Sequence, residues 1–258
     1  QELTPKRLAL AGIVGEVEAD DSSLYELLDR TYPDFLTDAP PRFSLRVEHC
    51  PRPSPTRSPE SPFATFTFRD SLFTMDGDGF SGVFDYGRNH GVLIQPPHLA
   101  ALEGFLTGIA IKYLLEDGGF LLHAAGVKAK TGGVVFFGPS GSGKTTLAER
   151  LNEEDGVEVI SDEAVALRPT GGGAYVVEGL PWRGRRISAP LLGLFHLSPG
   201  PDLAFHPLGP REFLRALWPN VYFTDDGGGQ FSCFLEICEA LAGRVPCYRM
   251  ESDRNARF

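Results

Sequence analysis

The chain has 258 residues, 42% of them apolar and 22% charged, the balance of a folded globular protein and not of a disordered tail or a fibre. Its formal net charge of -10 argues against the clustered Lys and Arg on which binding to a nucleic-acid backbone is built, so no nucleic-acid partner is expected. No apolar run is long enough to span a bilayer, and Cys50, Cys233, Cys238 and Cys247 form no CxxC pair, so the expectation is a cytoplasmic protein with reduced thiols and no membrane partner.

The sequence starts at Gln1 and not Met, which leaves room for an upstream piece. "KRLALAGIVG" superficially resembles a secretory signal, but it passes into "EVEADD" without a cleavage pattern and reads as a first strand. Residues 8–97 then read as strands and turns: "FSLRVEHC" alternates, "FATFTFRDSLFTM" is rich in Phe and Thr, "GFSGVFDY" follows a "DGDG" turn, and "GVLIQPP" ends on prolines. The proline-rich stretch 51–62 cannot sustain a helix or a central strand and is expected to be a surface loop, a polyproline docking motif being the alternative. "HLAALEGFLTGIAIKYLL" carries Leu102, Phe105, Leu106, Ile109 and Tyr113 at helical spacing. These elements predict a β-rich N-terminal lobe with a connecting helix over 1–117 and a second lobe over 118–258.

In the second lobe, "GGFLLHAAGVKA" and "GVVFFG" read as strands joined by a tight turn at "KTGG". A helix is predicted over 143–152, followed by a strand "VEVI" and a hairpin around Gly171–Gly173 within "AVALRPTGGGAYVVEG". The strand "LLGLFHL", a helix "GPREFLRALW", a loop "DDGGGQ", a helix "FSCFLEICEALAG" and a last strand "VPCYRME" complete the reading. "TDDGGGQ" is either a lid hinge or an ordinary loop. Cys233 and Cys238, five apart on that last helix, point about 140° away from each other and are poorly placed to share a metal. His196 and His206 belong to no constellation and read as structural.

"GPSGSGKT", Gly138, Pro139, Ser140, Gly141, Ser142, Gly143, Lys144 and Thr145, is a complete phosphate-loop pattern between the apolar strand "VVFF" and the helix "TTLAERL". Its glycines let the backbone turn amides inward, and the opening helix, with Thr146 in its first turn, directs N–H groups at an anion. A helix terminus contributes only about 0.3 to 2 kcal/mol toward an anion, so Lys144 and a Mg²⁺ ion held by the Thr145 hydroxyl must supply much of the charge compensation for bound ATP. Seventeen residues beyond Thr145 the next strand ends in "VISDEAV". Adjacent side chains on a strand face opposite ways, so Asp162 is assigned as general base and Glu163 as a Mg²⁺ partner; the alternative is a strand end with exposed acids.

"LLHAAGVKAKTGGVVFFGPSGSGKTTLAERL" followed by "VISDEAVAL" resembles the kinase domain of HPr kinase/phosphorylase and its smaller relatives, over 118–168. The resemblance implies an α/β fold with a mixed sheet, sharing its core with ATP-dependent phosphoenolpyruvate carboxykinases. It also implies Asp162 as base on a serine hydroxyl and His123 close to the transferred phosphate, a buried structural histidine being the alternative for His123. The pair is Asp-Glu where the family usually has Asp-Asp, and "VVEGLPWRGRR" stands where the bifunctional enzymes carry a longer signature. On that alignment Glu178 is the candidate remaining metal carboxylate. Arg183, Arg185 and Arg186 form the densest positive cluster, suited to charge on a phosphoryl group, or simply a solvated loop.

These readings converge on an ATP- and Mg²⁺-dependent kinase acting on a hydroxyl of a protein, peptide or small molecule, with a nucleotide-binding regulatory module as the alternative. The related enzymes assemble into rings, so a homo-oligomer is an open expectation.

Overall fold

The computed structural model of the protein describes residues 4–50, 64–224 and 229–252. The proline-rich stretch 51–62 and residues 225–228 of the anticipated hinge lie outside them. The described residues form an α/β structure of two compact units, one of residues up to Tyr113 with the described part of 223–230, the other starting at Leu114. The division falls inside a helix, a few residues before the expected Gly118. No helix among the described residues is long and apolar enough to cross a membrane.

The first unit comprises β1 (Lys6–Leu10), β2 (Ile13–Ala19), α1 (Ser22–Thr31), β3 (Phe43–His49), β4 (Ala64–Arg69), β5 (Leu72–Gly77), β6 (Phe80–Asp85), β7 (His90–Gln95) and most of α2 (Leu99–Glu116). Its mixed sheet runs in the order β1-β2-β3-β7-β6-β5-β4, with β2, β3 and β7 parallel and the remaining pairs antiparallel. The expected single first strand becomes a hairpin: "KRLALAGIVG" turns at Ala11 and Gly12; β4 and β5 turn likewise at Asp70, all three residues at positive φ.

The helix α1 was not expected among the strands. Asp21 caps it by accepting the Ser23 N–H at 2.7 Å, and Leu24, Tyr25 and Leu28 bury one face, a helical spacing that the search for alternation passes over. His49 closes on Asp20 and Asp21 at this same terminus, where the positive helix end works against a cation. α2 lies against the sheet through Phe105, whose ring stacks on Phe73 at 5.4 Å, and through Gly108, where a Cβ would stand 2.1 Å from the Phe73 ring. Tyr32 donates its hydroxyl proton to Glu103, which gives that helix carboxylate a partner.

The second unit holds β8 (Phe120–Leu122), β9 (Ala124–Ala129), β10 (Gly132–Phe137), α3 (Lys144–Leu151), β11 (Glu158–Ser161), β12 (Val165–Pro169), β13 (Tyr175–Gly179), β14 (Ser188–Pro199), β15 (Ala204–Pro207), α4 (Pro210–Leu217), most of α5 (Gly229–Ala242) and β16 (Cys247–Ser252). The sheet order is β11-β9-β10-β14-β13-β12-β8, with β16 added to β14 and β15 to β16. β14 holds it together, pairing antiparallel to β13 through 188–190 and parallel to β10 through 191–196. α3 packs Leu147 and Ala148 on Ala125, Val127, Phe136, Leu197 and Met250, and a fully buried leucine contributes about 2 kcal/mol. The loop ahead of α3 therefore rests on a rigid base.

Cys238 and Cys247 are buried thiols whose pKa is pushed up to about 12 by burial, while Cys233 is exposed; none of the four cysteines is in a disulfide. His196 stands on β14 beside the Phe137 ring at 5.3 Å, and burial, with the Arg249 charge, lowers its pKa. Its pKa in the fold lies below that of the unfolded chain, so the unfolded chain takes up the proton first as pH falls through the ordinary histidine range near 6.5. Urea unfolding followed between pH 7.5 and 5.5 is expected to give falling stability toward the acid side, with a shallower fall for His196→Asn.

Candidate functional site

β10 carries the chain to Phe137, between antiparallel β9 and parallel β14, and the glycine-rich loop begins where these hydrogen bonds stop. Gly141 at φ 75° and Gly143 at φ 96° occupy the left-handed region, and a Cβ on either would meet nothing within 4 Å. The backbone conformation, and not lack of space, is what calls for glycine at these two positions. Within the loop the Ser142 N–H bonds the Pro139 carbonyl at 3.1 Å, and α3 opens at Lys144 with the Leu147 N–H on the Gly143 carbonyl at 2.9 Å.

Lys144 is 7% exposed, and its Nζ donates to the carbonyls of Gly138 at 2.8 Å and Pro139 at 3.3 Å. Desolvation lowers its pKa, since the charged form has exchanged water for only part of a donor set of three.

A cavity of about 490 Å³ opens beside the loop, lined by Ser140, Gly141, Gly143, Lys144, Thr145 and Thr146 from the loop and α3, by His123, and by Asp162 and Glu163. Residues from three separate stretches of the chain thus meet in one place. A second cavity of about 190 Å³ shares Gly141, Gly143 and Thr146 and continues along the other flank of α3, between Leu147, Arg150, Leu197, Ser198, Pro199 and Ser252. Ser142 faces this second cavity, and Gly138 and Pro139 serve the first by their carbonyls, as the seat of Lys144.

Asp162 and Glu163 do not lie on a strand with opposed side chains as expected. β11 ends at Ser161, and the two acids occupy the bend before β12, so both border the same cavity. Ser161 makes the bend: its Oγ accepts the N–H of Glu163 at 3.2 Å and of Ala164 at 3.1 Å and donates to the Arg183 carbonyl. Short hydroxyl-to-backbone bonds of this kind compete with strand continuation, and the serine just ahead of the acid pair was a legible signal for one. The chain on the far side is fixed as well, the Ala124 N–H bonding the Glu163 carbonyl at 3.1 Å.

The arginine cluster divides. The segment 180–187 packs its backbone on the end of β11, with the Arg185 N–H on the Ile160 carbonyl at 2.8 Å and Gly184 so close that a Cβ would stand 2.3 Å from that carbonyl oxygen. This brings the Arg183 guanidinium onto the Glu163 carboxylate, both side chains remaining partly exposed. Arg185 and Arg186 are exposed and do not line either described cavity.

Glu178 corrects the expectation of a further metal carboxylate. On β13 it faces Arg168 of β12, with Oε2 on Nε at 2.7 Å and Oε1 on Nη2 at 2.9 Å, and it is not among the cavity-lining residues. Both oxygens are used by one guanidinium fork across the strand pair. Glu178→Gln is therefore expected to cost about 2 kcal/mol in urea-derived unfolding free energy, through loss of the charge-assisted bonds, with no change in any Mg²⁺ requirement.

His123 lies in the break between β8 and β9, where its N–H bonds the Asn220 carbonyl at 2.7 Å. One neighbour was not singled out from the sequence: Tyr222, whose Oη lies 3.4 Å from His123 Nδ1. The segment "WPNVYF" contains no motif, and only pairing with β8, through Leu122 opposite Val221 and the Tyr222 N–H on the Leu121 carbonyl at 3.0 Å, brings the phenol to the histidine.

A scan against protein-family models finds no match for the chain, and a search of curated proteins finds no significant relative.

Proposed function

We propose that the protein is an ATP- and Mg²⁺-dependent kinase that transfers the γ-phosphoryl group to a hydroxyl, in the favoured case a serine, of a protein, peptide or small-molecule acceptor. The observation that carries this reading is the convergence of Lys144, Thr145, His123 and the Asp162–Glu163 pair on one cavity beside a glycine-rich loop. The loop then acts as a P-loop: Lys144 and the amides at the start of α3 hold the phosphates. The smaller, partly apolar cavity that shares Gly141, Gly143 and Thr146 takes the nucleoside end, leaving the γ-phosphoryl toward Asp162. This arrangement agrees with the resemblance to the HPr kinase/phosphorylase domain, and the reaction belongs to the cytoplasm, where ATP is available.

The oxygen donors in the cavity fit a hard divalent cation. Thr145 and Glu163 would hold Mg²⁺, whose charge offsets that of the phosphates when bound. Asp162 accepts the proton of the acceptor hydroxyl as its oxygen bonds to the γ-phosphorus and the bond to the bridging oxygen of ADP breaks. Arg183, held by the 180–187 segment on Glu163, supplies a guanidinium at the rim for a phosphorylated product.

One observation favours a second reading. Glu163 is engaged by Arg183, an arrangement also suited to a nucleotide-binding regulatory module with little turnover. Incubation with γ-labelled ATP, Mg²⁺ and serine-bearing peptides and proteins separates the two. Label on an acceptor hydroxyl supports the kinase; tight ATP binding with neither acceptor labelling nor ADP formation favours the regulatory module.

A further inference from the structure

His123 has one side-chain hydrogen-bond partner among the described residues, the Tyr222 hydroxyl at 3.4 Å from Nδ1, and the two rings meet edge to face with centroids 6.3 Å apart and planes at 83°. In a neutral imidazole one ring nitrogen donates and the other accepts, and the partner of one nitrogen decides the role of the other. The phenol keeps its proton at neutral pH, burial pushing its pKa above the ordinary tyrosine value despite the nearby Arg183 charge. A phenol oxygen, conjugated with its ring, is a better donor than acceptor, whereas an unprotonated imidazole nitrogen is a strong acceptor. If Nδ1–H donated to Tyr222, the phenol proton would be left without a protein partner, at a cost to a half-buried hydroxyl.

We infer that Tyr222 is a positioning residue that donates to Nδ1 of His123, fixes the histidine in its Nε2–H tautomer and so makes it a hydrogen-bond donor to the transferring phosphoryl group, not a second base. The last step rests on the proposed kinase reading; the tautomer does not. The backbone holds the pair in register from both sides, since the His123 N–H bonds the Asn220 carbonyl and the Tyr222 N–H bonds the Leu121 carbonyl. The hydroxyl-to-Nδ1 distance of 3.4 Å is long for such a bond, and hydrogen bonds of catalytic groups tighten in a substrate complex. The division of labour follows: Asp162 takes the proton, and His123, with its proton fixed on the nitrogen away from Tyr222, donates to phosphoryl oxygen.

The test is long-range ¹H–¹⁵N correlation spectroscopy of the ¹⁵N-histidine-labelled full chain at neutral pH, the His123 signals assigned with His123→Gln and compared with Tyr222→Phe. The Phe variant keeps the ring contact and removes only the hydroxyl. Expected is an Nε2–H pattern for His123 in the unmodified chain and a shift toward Nδ1–H or a mixture in Tyr222→Phe. An Nδ1–H or doubly protonated ring in the unmodified chain, or a tautomer indifferent to Tyr222→Phe, overturns the inference. In the phosphotransfer assay Tyr222→Phe should lower kcat about tenfold with KM for ATP unchanged, the lower end of what loss of an orienting partner costs a metal-bound imidazole. His123→Gln, which retains an N–H donor near the Nε2 position, should keep more activity than His123→Asn; the reverse order overturns the donor role. If no phosphotransfer is found while the tautomer responds to Tyr222→Phe, the kinase reading fails and the Tyr222–His123 pairing stands.

Discussion

Asp162→Asn is expected to lower phosphotransfer by about 10² to 10⁴ while leaving ATP affinity unchanged. The substitution preserves shape, and the bend at 161–164 is held by Ser161 Oγ and backbone groups, with the Asp162 carboxylate taking no part in it. Nothing in that geometry requires the negative charge for folding. On the proposed kinase reading, what is lost is the acceptor for the hydroxyl proton among the residues lining the cavity. Isothermal titration with ATP–Mg²⁺, set beside single-turnover transfer of labelled phosphate, separates the two quantities. Equal transfer by the Asn variant and the unmodified chain would remove Asp162 from the mechanism and, with it, the kinase reading of the acid pair.

Lys144→Met should fail in both quantities. Among the described residues, Lys144 is the one lysine or arginine lining the larger cavity, in a chain whose net charge of -10 offers a polyanion no general attraction. Its ammonium is already anchored to the carbonyls of Gly138 and Pro139, so little reorganisation is needed for it to meet phosphate oxygens. Burial disfavours its charge, and a bound polyphosphate reverses that imbalance, which makes the favourable interaction strongest where the ligand is most charged. Removal of one preorganised electrostatic partner costs about 10² to 10³ in turnover, and here a clear loss of ATP affinity should accompany it. The contrast with Asp162→Asn is the informative part: one variant binds and does not transfer, the other does neither. An unimpaired Lys144→Met would mean that the loop is an ordinary turn before a helix.

Much of the site could be read in the sequence because its parts are local. The pattern from Gly138 to Thr145 encodes its own geometry through glycines at fixed offsets, and the apolar "VVFF" ahead of it left little choice but a buried strand, found as β10. The acid pair was found by its distance from the loop, but its orientation was not, because strand alternation was assumed where the hydroxyl of Ser161 ends the strand. Glu178 was misread for another reason. A carboxylate at a plausible alignment position carries no mark of its cross-strand neighbour, and the Arg168 fork is visible only once β12 and β13 are in register. Tyr222 lay beyond reach, since its approach to His123 spans 99 residues of chain and depends on a single bridge to β8. The miss at α1 is of the opposite kind: its Asp cap and helical spacing are local, but they sit among sequences that otherwise alternate.

One oxygen atom, the hydroxyl of Ser161, ties together the amide of Glu163, the amide of Ala164 and the carbonyl of Arg183. Asp162, Glu163 and the Arg183 guanidinium that meets the Glu163 carboxylate are thus coupled through a single hinge pin, and none of the three is free to drift alone. Changes at these positions should compound in a non-additive way, and a chain that lost this serine would have to rebuild the whole rim at once.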